Sequence, residues 1–188
     1  MLPEESAPPP AGFAPLYYLR MAFSIARWDE VAIRRASRDS NAVFYGASFW
    51  TITAVAILLV SVLPRMLKTT KISGPALMIG LIIGVIFGLA YMAFLTFAQL
   101  GLCHLIAKWF FGGTGSYIEI LRPLLLGWSV NALVLIPVIG MLAAAIAWIA
   151  VLMLVFEEVD GIERLQAFLI SAGINVCFLV LQFMIPVK

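Results

Sequence analysis

Four long stretches of this chain carry no Asp, Glu, Lys or Arg. They lie between Asp39 and Arg65, Lys71 and Lys108, Arg122 and Glu157, and Arg164 and Lys188. Each exceeds the roughly 18–20 apolar residues that cross a ~30 Å hydrocarbon core. Inside hydrocarbon every backbone N–H and C=O must find a partner, which restricts spanning segments to helices or closed barrels. The two-residue alternation of a barrel strand is absent here, so the runs predict helices. Composition agrees: 63% of the 188 residues are hydrophobic, 12% are charged, and mean hydropathy is +1.06. A water-soluble domain of this length needs more polar surface.

The runs predict an all-α integral membrane protein. Its five transmembrane helices cover about 43–64, 74–108, 118–136, 140–157 and 165–185, and an amphipathic interfacial helix precedes them. The 36-residue run of residues 72–107 is too long for one upright crossing and too short for two with a turn. One long tilted helix is the expectation. The third charge-free run is divided by Pro137 and Gly140, a pair suited to breaking a helix and starting another. Pro64 and Arg65 are expected to end the first span, and Pro186 and Lys188 the last.

Residues 1–15 are acidic and proline-rich, unlike the basic start of a secretory signal, and are expected to form a disordered tail. Over 16–39, Arg27, Glu30, Arg34 and Arg38 fall on one helical face, with Tyr18, Met21, Ile25, Trp28, Ala32 and Ala36 on another. That pattern predicts one interfacial helix. Its Arg27, Arg34 and Arg38 are candidate contacts to a membrane surface or a cytoplasmic protein partner. The alternative is a helix that only packs against the bundle.

Gly80, Gly84 and Gly88 repeat every four residues, continued by Ala76. Small residues at this spacing let a second helix approach closely, from the same chain or from a homo- or hetero-oligomeric partner. Further on, Gly112-Gly113-Thr114-Gly115 ends the long helix, and Ser116 with Glu119 forms a capping box for the next. A phosphate-binding loop would need a lysine that is missing here.

His104 is the sole histidine. With Glu157, Glu158 and Asn131 it makes a candidate polar cluster. A proton relay or metal site would need such partners at the same depth; an interfacial histidine bonded to backbone or water is the simpler reading. Gln99, Asn131, Asn175 and Gln182 are amides inside spans, which commonly tie helices together. Cys103 and Cys177 sit in apolar runs and read as small buried hydrophobes. No nucleophile–base set, Gly-x-Ser-x-Gly elbow or zinc-binding His-Glu-x-x-His pattern is present. These residues point away from an enzyme, a cofactor or a metal, and a net charge of +2 points away from nucleic acid. A small transporter, channel or lipid-handling protein is the rival to a non-enzymatic protein that acts through helix packing and partners.

Lysine and arginine set the orientation. With five spans, Arg20, Arg27, Arg34, Arg35, Arg38, Lys108, Arg122 and Arg164 fall on one side. Arg65, Lys68, Lys71 and Lys188 fall on the other. The N-terminus is expected in the cytoplasm and the C-terminus across the membrane.

The stretch from His104 to Ala167 resembles the Yip-one domain family, the Ypt/Rab-interacting membrane proteins and their bacterial relatives. The landmarks occur in order: His104-Leu-Ile-Ala107, Gly112-Gly113-Thr-Gly115-Ser116, the short amphipathic lead from Tyr117 to Leu125, Ile136-Pro137-Val-Ile-Gly140, a span bearing Trp148, then Glu158-Val-Asp-Gly161 and Ala167. Asp160 and Glu163 stand where relatives often have histidine and serine. The short N-terminal region is similar to that of bacterial members. The resemblance implies a five-span fold over about 16–188, a bacterial cytoplasmic membrane location and a membrane-organising or trafficking-like role. It does not carry over a GTPase partner.

Overall fold

The computed structural model describes residues 10, 12–69 and 74–184. The expected tail (1–9 and 11), Lys71, Pro186 and Lys188 lie outside the described residues, as do the side chains of Ala76, Arg65, Lys68 and Gln182. The described residues form seven α-helices: α1 (Pro15–Ala26), α2 (Glu30–Arg38), α3 (Ala42–Thr69), α4 (Gly74–Phe110), α5 (Tyr117–Gly127), α6 (Gly140–Asp160) and α7 (Arg164–Met184). A 3-10 helix, Trp128–Leu135, follows α5 directly. Four segments are long and apolar enough to cross a membrane: Ala42–Ser61, Leu77–Phe110, Tyr117–Leu135 and Gly140–Asp160. They point to an integral membrane location.

Two expectations need correction. The single helix over 16–39 is two. Pro15, with φ preset for a first turn, starts α1, which stops at Arg27; Trp28 then takes a left-handed backbone, φ 66°. Asp29 opens α2 by accepting from the N–H groups of Val31 (3.0 Å) and Ala32 (3.2 Å), the N-cap bond that aspartate favours. Arg27 therefore does not share a helix face with Arg34 and Arg38. Second, the apolar span Ala42–Ser61 ends before Pro64, but its helix does not stop at Pro64. Pro64 is exposed inside α3, which continues to Thr69. The expected span of about 118–136 is present as Tyr117–Leu135; within it the α-helix gives way to the 3-10 helix after Gly127.

The long helix α4 runs unbroken for 37 residues, about 55 Å at ~1.5 Å per residue. Gly112, at φ 70°, follows it. The capping box holds at the next start: Glu119 Oε2 accepts from Ser116 N–H at 2.8 Å, and Ser116 Oγ accepts from Glu119 N–H at 3.4 Å. Between the 3-10 helix and α6 the chain turns through Pro137. Gly140 is required there, because a Cβ would lie 2.2 Å from the Leu133 carbonyl oxygen.

α4 and α6 end side by side. Thr114 N–H donates to the Asp160 carbonyl at 3.0 Å, so the two helices run in the same sense and α7 returns between them. The Arg122 side chain donates to the Ser37 carbonyl at 2.6 Å, which brings α2 to this end too. The largest fully buried side chains, among them Tyr18, Ile25, Ile33, Ile120, Leu124, Leu152 and Phe156, belong mostly to α1, α2, α5 and the last turns of α6. They form a packed head. Away from it, no described side chain of α4 between Leu77 and Leu95 is buried, and Phe87 is 72% exposed. Apolar surface of that extent is suited to lipid.

Of the glycine stripe, Gly88 makes a close contact: a Cβ on it would lie 2.9 Å from Leu58 Cδ2, so α4 meets α3 there, whereas one on Gly84 would meet nothing within 4 Å among the described residues; Gly80 is half-buried. The tighter approaches are Gly46 on α3 against Leu125 and Leu126, and Gly127 against Val151 and Ile25.

Candidate functional site

The ionisable groups gather at the head, where three acids of α6 take different partners. Glu158 pairs with Arg34 of α2. Glu157 accepts from Arg164 Nε at 2.7 and 3.1 Å, and the same guanidinium reaches Glu30 at 3.3 Å. Asp160, the last residue of α6, turns inward and is 1% exposed. Its Oδ2 lies 3.8 Å from His104 Nδ1, too far for a hydrogen bond. Neither Asp160 carboxylate oxygen nor His104 Nδ1 has a hydrogen-bond partner among the described residues.

This arrangement corrects the expected cluster. His104 faces Asp160, not Glu157 or Glu158, which are tied to arginines. Asn131 belongs elsewhere: it lines a cavity with Gln99 and Asn175, and its Nδ2 donates to its own helix at the Trp128 carbonyl, 3.0 Å. Asp160 also explains the glycine loop. A Cβ on Gly113 would lie 3.0 Å from Asp160 Cγ, and one on Gly115 2.7 Å from Asp160 Oδ1. Gly112 and Gly161 both sit at φ 70°. Side chains at 113 and 115 would push the loop off α6, so these glycines serve close packing of backbone on a carboxylate. Among the described residues no three His, Cys, Asp or Glu side chains are placed to hold a metal. Cys103 is buried, as expected of a small hydrophobe, whereas Cys177 is exposed; both are free thiols.

The arginines divide. Arg34 is half-buried and paired. Arg27, beyond the end of α1, and Arg38, at the end of α2, are exposed, as is Arg20 on α1. None of these three makes an ion pair among the described residues. They share the head with exposed apolar side chains: Phe13, Leu16, Phe23 and Trp28. Trp28, expected on one face of a single interfacial helix with Tyr18 and Ile25, is exposed and taken off that face by the break at Arg27–Asp29.

Below this surface Tyr18 donates to Asp39 Oδ2 at 2.7 Å and stacks on Tyr45, with ring centroids 4.0 Å apart. Tyr45 Oη in turn accepts from Ala14 N–H at 2.8 Å. Burial, and then the neighbouring Asp39 carboxylate, push the Tyr18 phenol well above its ordinary value of ~10. A group whose folded pKa exceeds its unfolded one adds stability that is complete below the unfolded value. That stability is lost as pH rises toward the folded value. The melting temperature in detergent should therefore fall above pH ~10, and less steeply in Tyr18→Phe than in wild type. Parallel slopes would show that Tyr18 is not the linked group.

At mid-chain depth a second polar locus joins α4 and α7: Gln99 Nε2 donates to Asn175 Oδ1 at 3.0 Å, and Asn175 Nδ2 to the Ser171 carbonyl at 2.7 Å. Here the expected tie between helices is present. Compared with family models, curated proteins and solved structures, the chain matches none.

Proposed function

We propose that this is a non-enzymatic membrane protein with five spans, α7 being the fifth, whose packed head works at the cytoplasmic membrane surface. The ordered landmarks from His104 to Ala167 support a Yip-one-like, bacterial-type reading. The count of eight basic residues against four supports a cytoplasmic head. The observation that carries the proposal is the exposed surface of Arg20, Arg27 and Arg38 beside Phe13, Leu16, Phe23 and Trp28. Cations without ion pairs next to aromatic and aliphatic side chains suit an anionic headgroup layer. Basic residues close to such a surface contribute about 1 kcal/mol each.

The test is the anionic phospholipid retained by protein extracted from mixed-lipid nanodiscs, read by native mass spectrometry. Changing Arg20, Arg27 and Arg38 together to Gln should weaken retention about 100-fold by that figure, with melting unchanged. Equal retention would rule the surface out. A lipid- or small-molecule-handling role is the second reading, and the amide-lined cavity between α4, α6 and α7 favours it.

A further inference from the structure

A cavity of about 320 Å³ lies between α4, α6, α7 and the 3-10 helix, within the ~300–1,000 Å³ range of small-molecule sites. Gln99, Asn131, Asn175 and Thr96 supply its polar lining, and Trp128 and Trp148 part of its apolar lining. Both tryptophans are buried. Gln99 stands eleven residues before the end of α4, and Asn175 eleven after the start of α7. At ~1.5 Å per residue the pair lies about 16 Å from the head, near the middle of a ~30 Å core.

Three amides at that depth are more than helix packing uses. Gln99 Nε2 is satisfied by Asn175, and Asn131 Nδ2 by Trp128. Gln99 Oε1 and Asn131 Oδ1 accept no hydrogen bond among the described residues, and each amide keeps a second N–H. In hydrocarbon, polar groups left without partners are costly. Among the described residues no Asp, Glu, Lys or Arg lines the space, so a charged ligand would be desolvated without compensation. The rim includes Ala145 and Val176, both exposed on the outer surface of the bundle. That surface faces lipid, so a ligand reaches the cavity sideways from the bilayer.

We propose that this cavity binds a neutral, membrane-soluble amphiphile through a hydroxyl- or amide-type group that both donates and accepts hydrogen bonds. The polar group meets the Gln99, Asn131 and Asn175 amides, and the apolar body lies along the tryptophans and out past Ala145. A bare hydrocarbon chain fits the shape but leaves the amides unanswered. The inference is independent of the basic head surface.

The cavity tryptophans report on it. In nanodiscs, a Trp28→Phe, Trp109→Phe background keeps Trp50, Trp128 and Trp148, and Trp50 lies beside Trp128 with centroids 5.4 Å apart. Dibromostearyl alcohol should quench their emission saturably, at about tenfold lower concentration than dibromo-octadecane, as expected when the alcohol gains hydrogen bonds that the hydrocarbon lacks. The advantage should vanish in Gln99→Leu with Asn131→Leu. It should also vanish in Ala145→Phe, where a ring fills the cavity from an exposed position and leaves the core intact. Equal quenching by the two probes in the background protein overturns the proposal. An advantage that survives Ala145→Phe overturns it too.

Discussion

Gly46→Leu is expected to be among the most damaging single changes in the spans, and Gly84→Leu among the mildest. A Cβ at Gly46 would lie 2.7 Å from Leu125 Cβ and 3.1 Å from both the Leu125 carbonyl carbon and the Leu126 nitrogen. Two of those atoms are backbone, so relief requires α5 to move away from α3. α5 cannot move alone, since its Gly127 is pressed against Val151 and Ile25 and its Leu124 and Leu126 are fully buried. Overpacking of this kind costs ~1–3 kcal/mol, sometimes more. At roughly 2–4 °C per kcal/mol for a chain of this size, the melting temperature should drop by about 2–12 °C. Among the described residues nothing lies within 4 Å of where a Gly84 side chain would begin, so leucine there should change stability by less than ~0.5 kcal/mol. Gly88→Leu should fall between, because the flexible Leu58 end can yield. A melting series in detergent checks the order; the reverse order would mean that α3 and α5 are not in contact.

His104→Leu is the second large effect, and its size should depend on Asp160. The carboxylate of Asp160 is enclosed by Gly113, Gly115 and His104, with no hydrogen bond to either oxygen among the described residues. Removing the imidazole leaves the buried Asp160 carboxyl without the polar side chain it faces, and an unsatisfied buried polar group costs ~1–3 kcal/mol. Asp160→Asn added to His104→Leu removes the acid that the imidazole faces and should recover at least half of the loss. A double-mutant cycle on unfolding free energy measures this. Coupling above ~1 kcal/mol is expected. Additivity within ~0.3–0.5 kcal/mol, as found for independent sites, would show that the two side chains do not interact.

What the sequence revealed and what it hid divide along local and tertiary lines. The unbroken α4, the capping box at Ser116 and Glu119, the glycine exit at Gly112 and the Pro137–Gly140 turn are written within a few residues of where they act. The break at Trp28 was harder to read, because an aromatic residue rarely adopts a left-handed backbone. The available signal was Asp29 followed by Glu30, an N-cap with an acid in the first turn. Pro64 misled because a proline at an exposed position of a long helix is tolerated when packing elsewhere holds the helix. The partner of His104 is decided by tertiary structure. Glu158 is drawn to Arg34 of α2, 124 residues away, and Glu157 to Arg164 across the turn into α7, which leaves Asp160 to turn inward. Gly46 carried no repeat to mark it, so its close approach to α5 is visible only once the helices are placed.

The central claim is that the loops on either side of α6 lie on opposite faces of a membrane, with the packed head on one of them. Cysteine labelling tests it most directly. Cys103→Ala and Cys177→Ala remove the native thiols, and single cysteines then replace the exposed residues Ser40, Thr114, Val138 and Glu163. An impermeant maleimide applied to right-side-out and to inverted vesicles should label positions 40, 114 and 163 from the same face, the cytoplasmic one, and position 138 only from the other. Labelling of positions 138 and 163 from one face would mean that α6 does not cross, and would contradict the account.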